Sequence, residues 1–177
     1  MKLYHGTYLD KLVKIINDGK LDNTKVDDST IEFDNIFESC LGENITKNAI
    51  YLTDDISCVE AGYDFEIEVE TDSNTLDKNK LFVADFDIRE QLMCAEIDDE
   101  MINLAKEYKD SFIPFEEYIK NLDDYNKKHS FREFLYFSSI DVSSYILENK
   151  SYIINVFKED WIYPEDYKIL LGEFYNK

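Results

Sequence analysis

The chain predicts an α+β fold, on three observations. Short segments of strand character come first, helical segments fill the middle and strand character returns, the segregated order of an α+β domain rather than a repeating βαβ pattern. Leu9, Leu12, Val13 and Ile16 recur at i, i+3, i+4 and i+7, the stripe of an amphipathic helix. Phe65, Ile67 and Val69 alternate with Glu66, Glu68 and Glu70, the pattern of a half-buried strand with an acidic outer face. With 13 Tyr, 12 Phe and 44% hydrophobic residues, one domain over residues 1–177 has ample material for a core.

Each element follows from local signals. Residues 2–5 predict a short strand ended by a Gly6-Thr7 turn. In the helix after it, Asp10 lies in the first turn and Gly19 stands where a left-handed C-terminal cap belongs. Residues 20–48 are polar and acidic and predict a long loop with a short helix near Ile36–Cys40. Ala49–Thr53 is a compact strand, and Asp54 and Asp55 cap a short helix through Ala61, closed by Gly62. Leu81–Ala84 is a further strand. Helices over Ile88–Tyr108 and Phe115–Tyr125, the second with Pro114 at its first position, make a helical insert across about residues 87–128. Phe134–Ser138 and Tyr152–Phe157 return to strand character, and Pro164–Tyr175 ends the chain as a helix.

Charge excludes several function classes. Against 39 Asp and Glu stand 19 Lys and Arg, for a net −20, which repels phosphate backbones and disfavours direct nucleic-acid binding. Only two arginines, Arg89 and Arg132, could build a local basic groove. A basic protein is the natural electrostatic partner. No apolar run approaches the ~18 residues of a membrane span, and the opening MKLYHGTYLDKL lacks an apolar signal core, so a cytoplasmic protein without membrane partners is expected. Cys40, Cys58 and Cys94 are odd in number and without CxxC spacing, and read as buried thiols in a reducing compartment. No metal-ligand cluster is visible.

Three segments can carry chemistry. In Leu3-Tyr4-His5-Gly6-Thr7, an imidazole leaves a strand beside a glycine that lets a ligand approach the backbone, with the Thr7 hydroxyl next to it. In Ala49-Ile50-Tyr51-Leu52-Thr53, Tyr51 faces away from its apolar neighbours and can offer its flat face to a planar ring. In the segment Phe131–Phe137, Glu133 opens an aromatic and aliphatic strand, where a poorly hydrated carboxylate hydrogen-bonds a sugar hydroxyl strongly. Each alone has a plain structural explanation: a satisfied histidine, a core tyrosine, or a glutamate paired with Arg132 or Lys128. His129 reads as a solvated residue, and Arg132 as a strand salt bridge.

Taken in order, the three resemble the His-Tyr-Glu branch of the ADP-ribosyltransferase superfamily, which holds the poly-ADP-ribose polymerase catalytic domains and many small bacterial and phage relatives. The LYHGT opening, the AIYLTDD strand and the stretch GYDFEIEVETDSNTLD carry the likeness, over roughly residues 1–15, 48–78 and 130–147. Some phage-borne anti-CRISPR transferases share this plan and an acidic composition. The resemblance implies a split β-sheet with flanking helices, NAD as substrate and transfer of one ADP-ribose to a protein, with no metal. It implies that His5 bonds the adenosine ribose and that Gly6 offers backbone groups to the nicotinamide carboxamide, beside Thr7. Tyr51 would stack on the nicotinamide ring, with Tyr63 as the second stacking tyrosine and Ser57 nearby. Glu133 would take the 2′-hydroxyl of the nicotinamide ribose. Phe131 stands where arginine-modifying branches carry Gln or Glu, so arginine as the modified residue is not implied. Glu159 and Asp160 are the alternative acids.

The competing class is a non-enzymatic acidic protein that mimics nucleic-acid charge and occupies a basic protein surface. It would tolerate loss of the His5 and Tyr51 side chains and fail when surface acids are neutralised. The target, the modified side chain and the oligomeric state stay open.

Overall fold

The computed structural model describes residues 1–23, 28–63, 65–72, 76–95 and 99–141. The strand expected over Tyr152–Phe157, the helix over Pro164–Tyr175 and the alternative acids Glu159 and Asp160 lie outside them. The fold is α+β, with small antiparallel sheets and flanking helices. Among the described residues, no helix is long and apolar enough to cross a membrane.

The chain opens with β1 (Lys2–Thr7), which pairs antiparallel with β4 (Phe65–Glu70), Leu3 opposite Val69 and His5 opposite Ile67. No turn forms at Gly6-Thr7, because the ladder continues through Gly6 opposite Glu66 and Thr7 opposite Phe65. Between these strands run α1 (Leu9–Asp18), β2 (Lys20–Leu21), α2 (Asp28–Leu41), β3 (Ile50–Leu52) and α3 (Ile56–Gly62). Gly19 has φ 67°, the left-handed conformation its place after α1 predicts. Asp55 caps α3, its carboxylate accepting from the Ser57 N–H at 3.0 Å.

The short helix expected near Ile36–Cys40 is present but longer, since α2 spans Asp28–Leu41 and replaces much of the expected loop over residues 20–48. Its Ile36, Phe37, Cys40 and Leu41 return at helical spacing, and Phe37 is fully buried, stacked on Tyr108 at 5.3 Å between ring centres. The expected buried thiols are also corrected: Cys58 and Cys94 are exposed, Cys40 is half-buried, and all three are free.

The larger sheet runs β3, β7 (Arg132–Tyr136), β5 (Leu81–Asp85) and β6 (Ile113–Pro114), all antiparallel. Strand alternation divides its side chains between two cores. Ile50, Leu52, Leu81, Val83, Phe134 and Tyr136 join Leu3, Leu12 and Leu21 on one face. Ala84 and Leu135 join Phe37, Leu92, Ala105 and Tyr108 on the other. A two-residue strand, β8 (Ile140–Asp141), pairs with β2.

Four helices connect β5 to β7: α4 (Phe86–Cys94), α5 (Asp99–Asp110), α6 (Phe115–Lys120) and α7 (Leu122–Lys128). The single helix expected over Ile88–Tyr108 is therefore two. Ala95 is extended, with φ −73° and ψ 147°, and α5 restarts with Asp99 and Glu100 at its positive end. The break lets Leu92 of α4 and Ala105 and Tyr108 of α5 reach one core. A second break falls at Asn121, whose side-chain amide donates to the Glu117 carbonyl at 3.1 Å and competes with the helical ladder. Pro114 stands at the N-cap of α6 rather than its first turn, held in β6 opposite Phe82.

Asp85 ends β5, is buried, and caps α4 by accepting from the Asp87 N–H at 2.9 Å and the Ile88 N–H at 3.3 Å. Its other oxygen meets His129 Nδ1. Asp85→Ala is expected to lower stability by about 2 kcal/mol, from a lost cap and a lost pair, whereas Asp85→Asn keeps the cap and loses about half as much. Urea unfolding of the two variants checks this ordering.

Candidate functional site

Among the described residues, one isolated bridge joins the β1–β4 pair to the larger sheet. Tyr4 and Thr53 exchange both backbone hydrogen bonds, at 2.7 and 2.9 Å. A continued ladder would next pair Gly6 with Tyr51, because antiparallel partners repeat every second residue. Instead the Tyr51 carbonyl accepts from His5 Nδ1 at 2.9 Å. The imidazole thus stands where the ladder would close, and the alternation that points Tyr4's main-chain groups at β3 points those of Gly6 into the gap. Since a carbonyl only accepts, Nδ1 carries a proton, and in the neutral form of the ring Nε2 is then an acceptor.

The gap opens into a cleft of 1020 Å³. His5, Gly6, Thr7, Tyr51, Tyr63 and Glu133 all line it, so segments far apart in the chain converge there. Ser57 does not line it; its hydroxyl donates to the Asp55 carboxylate at 2.6 Å. Tyr63 and Tyr8 form an aromatic lip, their ring centres 5.3 Å apart and both side chains about half exposed. Lys11 and Lys14, from neighbouring turns of α1, add positive charge to the lining.

Glu133 sits on the sheet face it shares with Tyr51, because Tyr51 pairs with Leu135, two residues along the same strand. It is 4% exposed. Arg89 of α4 reaches one carboxylate oxygen at 2.5 Å, and the Tyr108 hydroxyl of α5 donates to the other at 2.6 Å. The Arg89 guanidinium also lies over the Tyr51 ring, 4.5 Å from its centre. Burial raises the Glu133 carboxyl above its ordinary range, against the opposing pull of Arg89 and Tyr108. Burial and the Glu133 charge together push the Tyr108 hydroxyl well up. Arg89 is held above its ordinary value, since Glu133, Tyr51 and Tyr108 outweigh a burial that alone would lower it. The cluster is a desolvated carboxylate with two fixed donors beside an aromatic face.

Arg89 and Tyr108 come from the helical segment between β5 and β7, where no motif pointed to them. One signal was available for Arg89: it is one of two arginines in the chain. The other, Arg132, binds Asp54 through Nε at 2.9 Å and Asn126 at 3.0 Å, tying β7 to the segment after β3. His129, expected to be solvated, instead pairs with buried Asp85 and packs on the Tyr125 ring at 4.4 Å.

Gly6 has a steric role at the lip. A Cβ built there would stand 2.2 Å from the Tyr63 ring, so any larger residue displaces that ring. Gly6→Ala is expected to displace the Tyr63 ring and to lower the unfolding midpoint, because the clash reaches the ring's Cγ at 2.5 Å and not only its free edge. A melting curve of the variant beside wild type checks this. In comparisons with known proteins, the chain matches no family model, no curated protein and no solved structure.

Proposed function

We propose that this chain is an NAD-dependent mono-ADP-ribosyltransferase that modifies a protein, built on an ADP-ribosyltransferase-like split sheet. The observation that carries this is the convergence of His5, Tyr51 and Glu133 on one cleft opened by the parting of β1 from β3. In this reaction the bond between C1′ of the ribose and the nicotinamide nitrogen breaks, its electron pair leaving with the ring. The sugar develops positive charge, as in glycoside hydrolysis. A nucleophile of the target protein then bonds to C1′ and loses its proton.

Each residue has work suited to its surroundings. The Glu133 carboxylate takes the 2′-hydroxyl of that ribose and opposes the charge that grows on the sugar, and burial strengthens the effect. Tyr51 and Tyr63 offer ring faces to the nicotinamide, and the main chain of Gly6 lies open toward its carboxamide. His5 Nε2 accepts from an adenosine ribose hydroxyl, and Thr7 adds a hydroxyl beside it. Lys11 and Lys14 also line the cleft and supply cations for a diphosphate. The net charge of −20 favours a basic protein target, so modification of such a target should weaken as ionic strength rises.

The charge also favours a second class, an acidic protein that occupies a basic surface without catalysis. One assay separates the two. Purified protein is incubated with NAD, with and without cell lysate, and free nicotinamide and labelled proteins are measured. Release by the wild type that is lost in His5→Ala and Tyr51→Ala supports the transferase. No release under any condition rejects it in favour of the charge mimic.

A further inference from the structure

Arg89 occupies the place where a ligand would be expected. Its guanidinium is flat and cationic, lies on the Tyr51 face at 4.5 Å and pairs with the buried Glu133 carboxylate at 2.5 Å. A ring face beside a desolvated carboxylate is a receptor for a planar cation. The nicotinamide ring of oxidised NAD is such a cation while it is bonded to ribose, and becomes neutral on release. Arg89 therefore holds the two groups that the proposed reaction assigns to substrate, Tyr51 for the ring and Glu133 for the sugar beside it.

The arginine is placed to leave. It projects from α4 at the border of the cleft, and its side chain is 25% exposed, whereas that of Glu133 is 5% exposed. The receptor is anchored from the other side: Tyr108 holds the second Glu133 oxygen at 2.6 Å, and Tyr51 is fixed in β3.

We infer that Tyr51 and Glu133 form a binding site for a planar organic cation, and that Arg89 is its resident occupant, displaced when the pyridinium ring of substrate enters. The inference rests on the transferase function proposed above for the identity of the natural cation, but not for the existence of the site. Arg89 sets specificity through competition. A cationic ring repays the displacement by stacking on Tyr51 and by its charge beside Glu133, and a neutral ring repays only the stacking. The apparent affinity of any cation is reduced by the fraction of molecules in which Arg89 is already in place.

The test is calorimetric titration of wild type, Arg89→Ala and Arg89→Lys with N-methylnicotinamide, a planar cation, and with nicotinamide, its neutral counterpart. Arg89→Ala should bind the cation more tightly than wild type by about tenfold or more, with a much smaller change for the neutral ring. Arg89→Lys keeps the charge but loses the flat stack, so it should fall between the two and serves as the test if Arg89→Ala does not fold. If Arg89 merely holds the site together, both variants bind both probes more weakly than wild type, and the inference is overturned. Equal affinity for the cation in wild type and both variants overturns it too. The NAD assay on the same proteins keeps the two proposals apart. Tighter cation binding without nicotinamide release rejects the transferase and keeps the cation site, and release without tighter binding does the reverse.

Discussion

Glu133→Gln is expected to lower nicotinamide release from NAD by about 10²–10³-fold, the scale of removing one electrostatic stabiliser from a water-excluded transition state. The substitution keeps the shape of the side chain and an oxygen for Tyr108, but removes the negative charge that, in the proposed reaction, opposes the charge growing on the sugar. It also leaves Arg89 without its counter-ion, but burial already favours the uncharged form of Glu133, so the loss of stability is expected to stay at about 1 kcal/mol or less. Stability and catalysis can be separated with the double variant Arg89→Met/Glu133→Gln, which removes both charges. It should regain most of the lost stability and none of the activity. A double variant that regains activity would show that the single variant had failed through structure rather than charge.

The same residue predicts a dependence on pH. Glu133 is raised in the folded protein by burial, so the folded state binds this proton more tightly than the unfolded state does. Its contribution to stability is then full below the ordinary carboxylate range and declines as pH rises through its own higher value. Unfolding measured across the acidic range should show that decline in wild type and its absence at this position in Glu133→Gln.

Phe134→Ala is expected to destabilise the protein by about 3–5 kcal/mol, the range for truncating a fully buried aromatic. Phe134 is 0% exposed on β7, which lies between β3 and β5. Its ring meets Tyr118 edge-on at 5.7 Å and Phe115 at 6.2 Å, so the loss falls on the contact between the sheet and α6. The Tyr118 hydroxyl is buried with no hydrogen-bond partner among the described residues, which leaves the new cavity without a well-paired polar wall. Urea unfolding monitored by far-UV circular dichroism measures the shift. A loss under about 1 kcal/mol would mean that α6 collapses into the space or does not support the sheet.

Much of the fold is legible one segment at a time. Helix α1 follows from its apolar stripe and Gly19, α3 from its Asp55 cap, and β4 from strict alternation, because each signal acts within a few residues. Misreadings arose where distant parts of the chain decide. The β1 ladder runs on through Gly6 because β4 lies beside it, and α4 separates from α5 because both must reach the core under Leu135. At the site, His5, Tyr51 and Glu133 could be singled out from local motifs, as a histidine beside glycine, a tyrosine between apolar neighbours and a carboxylate opening an aromatic strand. That they share a cleft depends on β1, β3 and β7 lying side by side, and strand pairing carries no marker that a single segment displays. The ion pair of Arg89 with Glu133 lies further still from local pattern. An arginine on a helix of mixed polarity looks solvated until packing of α4 against the sheet puts it over the Tyr51 ring, where loss of water makes the charged contact strong.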